Sequence, residues 1–356
     1  MILKEGSGVV RYVPTFCLRE GMKIGKNIYS SDGVVLLAND VILTDEYIQS
    51  LVKIGINGAY IEDTLSHDIH IQNVISDELR IKAVKSMKEI YNSPGDVART
   101  LSTVEYLAKS IMLEILNSKS IMVNMVDIKT FDDYMYSHSV NVAVLSSVIG
   151  MALHLDLKKI ERLTTAALLH DIGKVFISKD ILNKEKASEE EMNLIKSHSE
   201  KGYRYIKQHY SMPVTTYVGI LQHHERFDGN GYPDGKKGED ISHFARIICI
   251  CDAYDNLVTE RPNKKASIPS DAIEYIMANN GQMFDPKLVK TFLRKVAPYP
   301  LGTVLKLSNG ESVIVVENNE DCSIRPKVRN IENNNVYDMT NDWNLRNVTI
   351  VGVEND

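Results

Sequence analysis

Long apolar runs are missing from this sequence. The N-terminal stretch MILKEGSGVVRYV has no extended hydrophobic segment of the kind found in signal peptides. The longest uncharged helical stretch, residues 139–153, contains Ser and Asn and is too short to cross a bilayer. We therefore expect neither secretion nor membrane insertion.

Cysteine is scarce as well. The chain has four cysteines in 356 residues, and only Cys249 and Cys251 are close together in the sequence. Their spacing resembles neither a zinc knuckle nor the framework of a disulfide-rich secreted protein. The sequence therefore predicts a protein of the reducing cytoplasm.

An excess of positive charge is the third absence. The formal net charge is -6 and the isoelectric point is near 6.0, so there is no general electrostatic attraction to a nucleic-acid polymer or an anionic membrane. Any phosphate binding must come from a local site. Hydrophobic residues make up 44% and charged residues 25% of the chain, which is the composition of a globular protein with a sizeable core.

The pattern of apolar residues predicts a mainly α protein with four regions. They are, in chain order, a small α+β domain of unknown role, a helical linker, an all-helical domain and a short β extension, at residues 1–66, 67–119, 120–298 and 299–356. In the last region TVLKLS, SVIVVE and NVTIVGV alternate between apolar and polar side chains, which is typical of strands.

Helical periodicity also predicts the individual helices. The first region has one, at residues 45–54, with Thr44 as its N-cap. The linker has two long helices between residues 77 and 116, separated by NSPGD, and these could join two copies in a homodimer. The all-helical domain has seven, at residues 134–153, 157–169, 189–207, 215–224, 244–258, 271–278 and 286–296.

Buried acidic residues in this domain point to metal binding. Asp252 lies in FARIICICDAYDNLV, a helix that is apolar on nearly all faces, and Asp171 follows the apolar run ending in LLH. An unpaired buried carboxylate costs several kcal/mol, so both need partners. A metal ion is the partner that also explains five nearby histidines, namely His138, His170, His198, His223 and His224.

Seven nitrogen and oxygen ligands are too many for one catalytic ion with an open position, and they suit two. Imidazole and carboxylate together favour iron, manganese, zinc or nickel. Two ions about 3.5–4 Å apart can hold a bridging water and clamp the oxygens of a phosphoryl group. Lys174 lies about one helical turn after His170 and could stabilise the phosphate charge. The residues therefore predict phosphoester hydrolysis, with Asp171 and Lys174 as catalytic groups.

Five motifs in order resemble the HD-GYP subgroup of the HD phosphohydrolases: SHSVNVA, LLHDIGK, KSHSEKG, HHERFDGNGYPDG and CDAYDNLVTERPNKKA. The resemblance covers residues 134–296. It implies an all-helical, metal-dependent HD-type domain that hydrolyses the bacterial second messenger cyclic di-GMP to pGpG or GMP, using two divalent ions, iron or manganese before zinc or nickel.

The resemblance also implies roles for single residues. One metal ion would be bound by His138, His170 and Asp252, and the other by His198, His223 and His224, with Asp171 bridging them. The substrate would be contacted by Lys174, by Tyr232 of the signature loop, and by three residues of the last motif. These three are Asp255, Arg261 and Lys264.

Two positions depart from the family pattern. Some members bind a third metal ion through a Glu where this chain has Tyr134, so a third ion is not expected unless Asp133 takes that place. The family also usually has an aromatic residue where Asn263 stands. Two alternatives to the leading function remain open: a sensor or adaptor that binds the nucleotide without cleaving it, and the same enzyme acting on another cyclic dinucleotide such as cyclic GMP-AMP.

Overall fold

The computed structural model describes residues 10–30, 33–56, 58–66, 69, 73–118, 122–123, 134–259 and 266–354. They form two compact units. The first contains the described residues of Met1–Asn73, Met122–Asp132 and Val296–Asp356, and the second those of Val74–Ile121 and Asp133–Lys295. The four predicted region boundaries stay predictions, but the helices of the predicted linker lie in the same unit as the helical domain.

The N-terminal part of the first unit is a small α+β fold. Its elements are β1 (Arg11–Pro14), β2 (Lys23–Ile24), β3 (Ile28–Tyr29), β4 (Val35–Leu37), α1 (Asp45–Lys53) and β5 (Gly58–Glu62). The antiparallel sheet has the order β1-β5-β2, and β3 pairs with β4. The predicted cap of α1 is confirmed, because Thr44 accepts a hydrogen bond from the backbone N–H of Tyr47.

The C-terminal part of this unit is a five-stranded antiparallel sheet with the order β10-β6-β7-β8-β9. Its strands are β6 (Val304–Leu307), β7 (Ser312–Glu317), β8 (Lys327–Asn330), β9 (Val336–Asp338) and β10 (Ile350–Val353). The three predicted strands are present. Strands β8 and β9 were not predicted, since four and three residues are too few for alternation to stand out; pairing such as Val315 with Val328 holds them.

The regular elements of the second unit are all helices among its described residues, apart from an isolated bridge between Asn280 and Phe284. Its helices are α2 (Asp77–Asn92), α3 (Val97–Asn117), α4 (Tyr134–Ala152), α5 (Leu157–Leu169), α6 (Lys179–Leu182), α7 (Glu189–Lys196), α8 (His198–His209), α9 (Val214–Gln222), α10 (His243–Val258), α11 (Pro269–Ala278) and α12 (Pro286–Lys295). Within the described ranges, none of the helices combines the length and apolarity needed to cross a membrane.

Helix α4 is the centre of this unit. Every residue from His138 to Gly150 is buried, because α2, α3, α5, α10 and α12 all pack around it. A helix buried on all sides has to satisfy its polar side chains through its neighbours. Two of them, His138 and Asn141, bond to Asp255 of α10.

One predicted helix is wrong. Residues 189–207 form two helices rather than one, because the chain turns at Ser197 between α7 and α8. The turn lets the His198 ring donate from Nδ1 to the carbonyl oxygen of Ile195, at 2.7 Å. A short helix, α6, and a 3-10 turn at Ile172–Phe176 were also not predicted.

Candidate metal centre

The seven residues predicted as metal ligands come together at the centre of the helical unit. They are brought there from α4, from the end of α5, from the start of α8, from the end of α9 and from α10. Six of them are at most 6% exposed, and the side chain of His224 is 23% exposed. The residues are His138, His170, Asp171, His198, His223, His224 and Asp252.

Two groups of ligand atoms share Asp171. In the first, His138, His170 and Asp171 each offer an atom within 4.8 Å of the others. Asp252 adjoins this group, with Oδ1 3.0 Å from His138 Nε2 and 3.8 Å from His170 Nε2. The second group consists of Asp171, His198, His223 and His224 under the same limit. The arrangement therefore offers two neighbouring cation positions with one carboxylate between them.

Backbone carbonyl groups fix the tautomer of three histidines. His170, His198 and His223 each donate from Nδ1 to the carbonyl oxygen three residues earlier, at 2.6 to 2.7 Å. The proton of each neutral ring is therefore on Nδ1, and Nε2 carries a lone pair. This is the orientation of a histidine prepared to bind a metal ion through Nε2.

The Nε2 atoms of these rings lie close to one another or to Nε2 of His138 and His224. His198 Nε2 lies 3.2 Å from Nε2 of both His223 and His224, and His170 Nε2 lies 3.3 Å from His138 Nε2. Neutral rings whose protons are on Nδ1 have no hydrogen to place between two Nε2 atoms. A cation between them removes the repulsion, so the donor set fits bound metal ions.

Asp171 supplies an independent test of that fit. Its Oδ2 accepts from the ammonium of Lys174 at 2.5 Å, whereas Oδ1 has no hydrogen-bond donor within the described part of the chain although it is buried. A buried carboxylate oxygen without a donor is costly. Because Oδ1 lies 3.3 Å from His198 Nε2, a metal ion shared with this ring would satisfy both atoms.

The protonation of the site also favours cation binding. Burial lowers the pKa of His170 and, more strongly, that of His223, and burial together with His198 lowers the pKa of His224 to about 3. Burial acts the other way on Asp171, but Lys174 and His170 hold its pKa well below the usual value. Neutral imidazoles beside an ionised carboxylate are the states that metal ions bind.

His138 is held differently from the other ligands. Its Nδ1 lies 2.7 Å from Oδ2 of Asp255, which has no exposed surface. Burial opposes a charge on His138, but the hydrogen bonds to Asp252 and Asp255 outweigh it and raise the pKa of the ring. Asp255 was predicted as a nucleotide contact; that role stays a prediction, and the structure places the carboxylate behind His138.

Asn256 is a residue that sequence reasoning missed. It lies one helical turn after Asp252 and donates to Asp252 Oδ1 at 2.6 Å, while it accepts from the hydroxyl of Tyr134 at 3.1 Å. Tyr134 also stacks on His138, with the ring centroids 5.6 Å apart. Tyr134, which stands where some family members have a ligand for a third metal ion, therefore packs against the first ligand group. The four-residue spacing to Asp252 was the available signal.

The signature loop closes over the second group. The ring of Tyr232 stacks on His224 with the centroids 4.8 Å apart. Burial, with the nearby Asp252 and Asp171, raises the pKa of Tyr232, so its hydroxyl stays neutral and can donate. Gly231 is required here, because a Cβ would collide with the backbone of Arg226 and lie 2.6 Å from the carbonyl oxygen of His224.

Glu225 was also missed as a functional residue, although it lies in the quoted motif HHE. It is 1% exposed and accepts from the backbone N–H groups of Asp234 and Lys236, at 2.8 and 3.0 Å. The Glu225 carboxylate therefore holds the signature loop next to His223 and His224, the two residues that precede it. Its position next to His224 was the only sequence signal.

Gly173 joins two of the motifs. A Cβ at this position would overlap the carbonyl oxygen of His198 and approach the backbone nitrogen of Gly202 to 2.6 Å. The turn after Asp171 therefore packs directly on the first turn of α8, and only glycine leaves room for that contact. This contact brings Asp171 and His198 together.

The remaining predicted substrate contacts, Arg261 and Lys264, lie outside the described residues, as do Asp133 and Asn263. Lys174 is described: its side chain is 21% exposed and paired with Asp171.

With this geometry, comparison with known proteins identifies the domain. Residues 114–288 match the HD domain family. The predicted resemblance to HD-GYP proteins is confirmed by curated cyclic di-GMP phosphodiesterase relatives, and so is the mainly helical fold class with its N-terminal and C-terminal strands.

Three relatives illustrate what this chain is similar to. Cyclic di-GMP phosphodiesterase PA4108 of Pseudomonas aeruginosa is 34% identical over 63% of this chain and 54% of its own length. Cyclic di-GMP phosphodiesterase response regulator RpfG of Xanthomonas campestris pv. campestris is 38% identical over 42% and 40%. 3'3'-cGAMP-specific phosphodiesterase 3 of Vibrio cholerae is 38% identical over 41% and 32%. The chain thus spans about half or less of each relative.

Proposed function

We propose that this chain is a metal-dependent phosphodiesterase that hydrolyses cyclic di-GMP to pGpG, GMP or both. The observation that carries the proposal is the pair of ligand groups that share Asp171. Two ions held side by side suit phosphodiester hydrolysis. The printed names of the first relatives support cyclic di-GMP as the substrate.

We assign one ion to His138, His170 and Asp252 and the other to His198, His223 and His224, with Asp171 shared. The Nε2 contacts within each set and the orphan oxygen of Asp171 support this division. Nitrogen and oxygen donors without sulfur favour iron or manganese, with zinc and nickel as alternatives. A third ion is not part of the proposal, because Tyr134 packs on His138 at the position that would supply its ligand.

When bound, the two ions would lower the pKa of a water molecule and neutralise charge on the phosphate. Water then adds to phosphorus while the P–O3′ bond breaks and the 3′ oxygen takes up a proton, which gives linear pGpG. Lys174 has a flexible stem and a partly exposed ammonium, so it can turn from Asp171 to a phosphate oxygen. The neutral hydroxyl of Tyr232, whose ring stacks on His224, can donate to the substrate.

The test is hydrolysis of cyclic di-GMP by the full chain, purified without oxygen and loaded with iron or manganese, with pGpG and GMP resolved by chromatography. Asp171→Asn should abolish turnover. Its matched control is Asp180→Asn, since Asp180 is exposed on α6, away from the ligand groups. Intact cyclic di-GMP after incubation with metal-loaded protein contradicts the proposal. Nucleotide binding without cleavage would favour the sensor or adaptor.

A second candidate substrate is cyclic GMP-AMP. The relative from Vibrio cholerae that is named as specific for this dinucleotide is 38% identical over 151 residues, as high an identity as that of the response regulator. Ligand residues fix the reaction and not the base preference. Rates on both dinucleotides, measured with the same metal-loaded protein, decide between them.

A homodimer through helices 77–116 stays a prediction. Exposed apolar side chains along α3 support it, with Tyr106, Leu113 and Leu116 between 41% and 51% exposed. Light scattering across concentration tests it, and a monomer at every concentration contradicts it.

A cytoplasmic location also stays a prediction. It is supported by the cysteines, all four of which are free, as expected in a reducing compartment.

A further inference from the structure

A line of buried polar contacts connects helix α2 to the first ligand group. Arg80 of α2 donates from Nη1 to Asn141 Oδ1 at 2.7 Å, and Asn141 donates from Nδ2 to Asp255 Oδ1 at 2.9 Å. Asp255 Oδ2 in turn lies 2.7 Å from His138 Nδ1. Asn141, Asp255 and His138 have no exposed surface, so the two inner contacts are shielded from solvent water, whereas Arg80 is partly buried.

We propose that Arg80 is a positioning residue for the first metal ion, acting through Asn141 and Asp255 on His138. The proposal rests on the metal-dependent function proposed above, because it concerns how a ligand of that site is oriented. Arg80 lies outside residues 114–288, the part of the chain that matches the HD domain. A helix that precedes the matched domain would thereby be part of its metal site.

The chemistry of the four groups gives the line a fixed direction. A guanidinium group only donates and a carboxylate only accepts, whereas the amide of Asn141 can do either at each end. Arg80 therefore forces the amide oxygen of Asn141 toward α2 and its NH2 group toward Asp255. If Arg80 is removed, the amide oxygen of Asn141 loses this donor, and the contact to Asp255 alone holds the amide in place.

The orientation of Asp255 decides what His138 offers to a metal ion. Asp255 accepts from His138 Nδ1, so in the neutral ring the lone pair is on Nε2, which faces His170 and Asp252. Groups that orient a metal-bound histidine typically contribute about 10–100-fold in metal affinity. Because Arg80 acts two contacts further out, we expect about a tenfold effect, at the lower end of that range.

The experiment measures Mn²⁺ binding to the full chain by metal analysis and titration, with no substrate present. Arg80→Met removes the donors but keeps the length of the side chain. Arg99→Met is the matched control, because Arg99 donates to Glu89 on the exposed surface of the same unit. Arg80→Lys is the conservative variant, since it keeps the charge and one donor group. Urea unfolding of the metal-free proteins measures any general loss of stability.

The expected result is that Arg80→Met binds one of two Mn²⁺ ions about tenfold more weakly and the other as the wild type does. Arg80→Lys should recover part of that loss, and Arg99→Met should bind both ions normally. In the Asn141→Leu background, Arg80→Met should cause no further loss, because the line is already broken. This non-additivity is a result that general destabilisation does not produce.

Three outcomes overturn the inference: wild-type affinity for both ions in Arg80→Met, equal weakening of both ions, or a full second loss in the Asn141→Leu background. If Arg80→Met or Asn141→Leu does not fold, Arg80→Lys decides, since wild-type binding in that variant overturns the inference and selective weakening supports it. If the wild-type chain itself binds no Mn²⁺, the proposed function fails as well. If the wild type and the Arg80 variants bind both ions with the same affinity, the proposed function stands and only the role of Arg80 is overturned.

Discussion

The two halves of the metal centre are built from different kinds of support. In the half that contains His198 and His223, each ring donates to a carbonyl oxygen of its own helix turn. In the other half, His138 donates to the side chain of Asp255, which comes from a helix 117 residues further along the chain. His170 of this other half also donates to a local backbone carbonyl, so the halves differ in that only the half with His138 relies on a tertiary side-chain contact to orient one of its histidines.

This difference predicts different sensitivity to substitution. A backbone carbonyl cannot be removed by exchanging a side chain, so no single substitution removes the hydrogen-bond acceptors of His198 and His223. The support of His138 depends on the side chains of Asp255 and Asn141, each of which can be lost by a single substitution. The half that contains His138 is therefore the one in which substitutions outside the ligands should alter metal binding.

Loss of Asp171, the ligand shared by both halves, should reduce turnover more than any other substitution, because it weakens both halves at once. Asp171→Asn takes charge from both halves, and we expect turnover to fall by about a thousandfold or more, since metal ions contribute several kcal/mol to such reactions. Metal analysis should find weaker binding of both ions. Asp180→Asn should retain both. Two normally bound ions in Asp171→Asn would contradict the shared position.

Removal of one ligand from the locally supported half should separate the two halves. His223→Ala should leave about one bound ion and reduce turnover by about 100-fold or more, because losing a ligand costs at least as much as losing its orienting partner. Metal content and initial rates measure this. His209→Ala, an exposed histidine on α8, is the control. Retention of two ions in His223→Ala would show that the halves do not act as separate sites.

Asp255→Asn should weaken metal binding only in the half that contains His138. Asn still accepts a hydrogen bond from His138 but lacks the charge, so we expect about 10–100-fold weaker binding of one ion and unchanged binding of the other. Mn²⁺ titration tests the difference. Asp271→Asn changes an exposed carboxylate of α11 and should bind normally. Equal weakening of both ions would erase the distinction between the halves.

Gly173→Ala tests the packing that brings the halves together. The added methyl group collides with the backbone of His198 and Gly202, so we expect about 3 kcal/mol of destabilisation, the upper end for overpacking a close contact. Urea unfolding of the metal-free protein measures it. Gly95→Ala is the control, because nothing lies within 4 Å of a Cβ there. Equal stability of the two variants would contradict the close contact.

The smallest effect is expected at Tyr134. Tyr134→Phe keeps the ring on His138 but removes the hydrogen bond to Asn256, and a single neutral hydrogen bond contributes about 1 kcal/mol or less at a partly exposed site. We expect about threefold weaker binding of the first ion. Tyr203→Phe, which loses a contact to Lys207 on the surface, should not change it. A loss above a hundredfold would give Tyr134 a larger role than the structure supports.

Much of the local structure could be predicted from the sequence. Helices α2 to α5 and α9 to α12 appear within a few residues of their predicted limits, because apolar spacing and capping residues act over one or two turns. The break at Ser197 could not be predicted. It depends on the packing of Gly173 against α8, which joins residues about 25 positions apart in the chain.

The sequence by itself determined the identity of the seven clustered residues and all but one of the helices that carry them, because burying a carboxylate among apolar residues demands a partner wherever the chain folds. Only the tertiary structure decided how each is held. The position of Asp255 behind His138, the line from Arg80 and the donor that Asn256 gives to Asp252 depend on side chains that meet across helices. Sequence spacing carries no direct record of such contacts, since each is fixed by the packing of the whole helical unit.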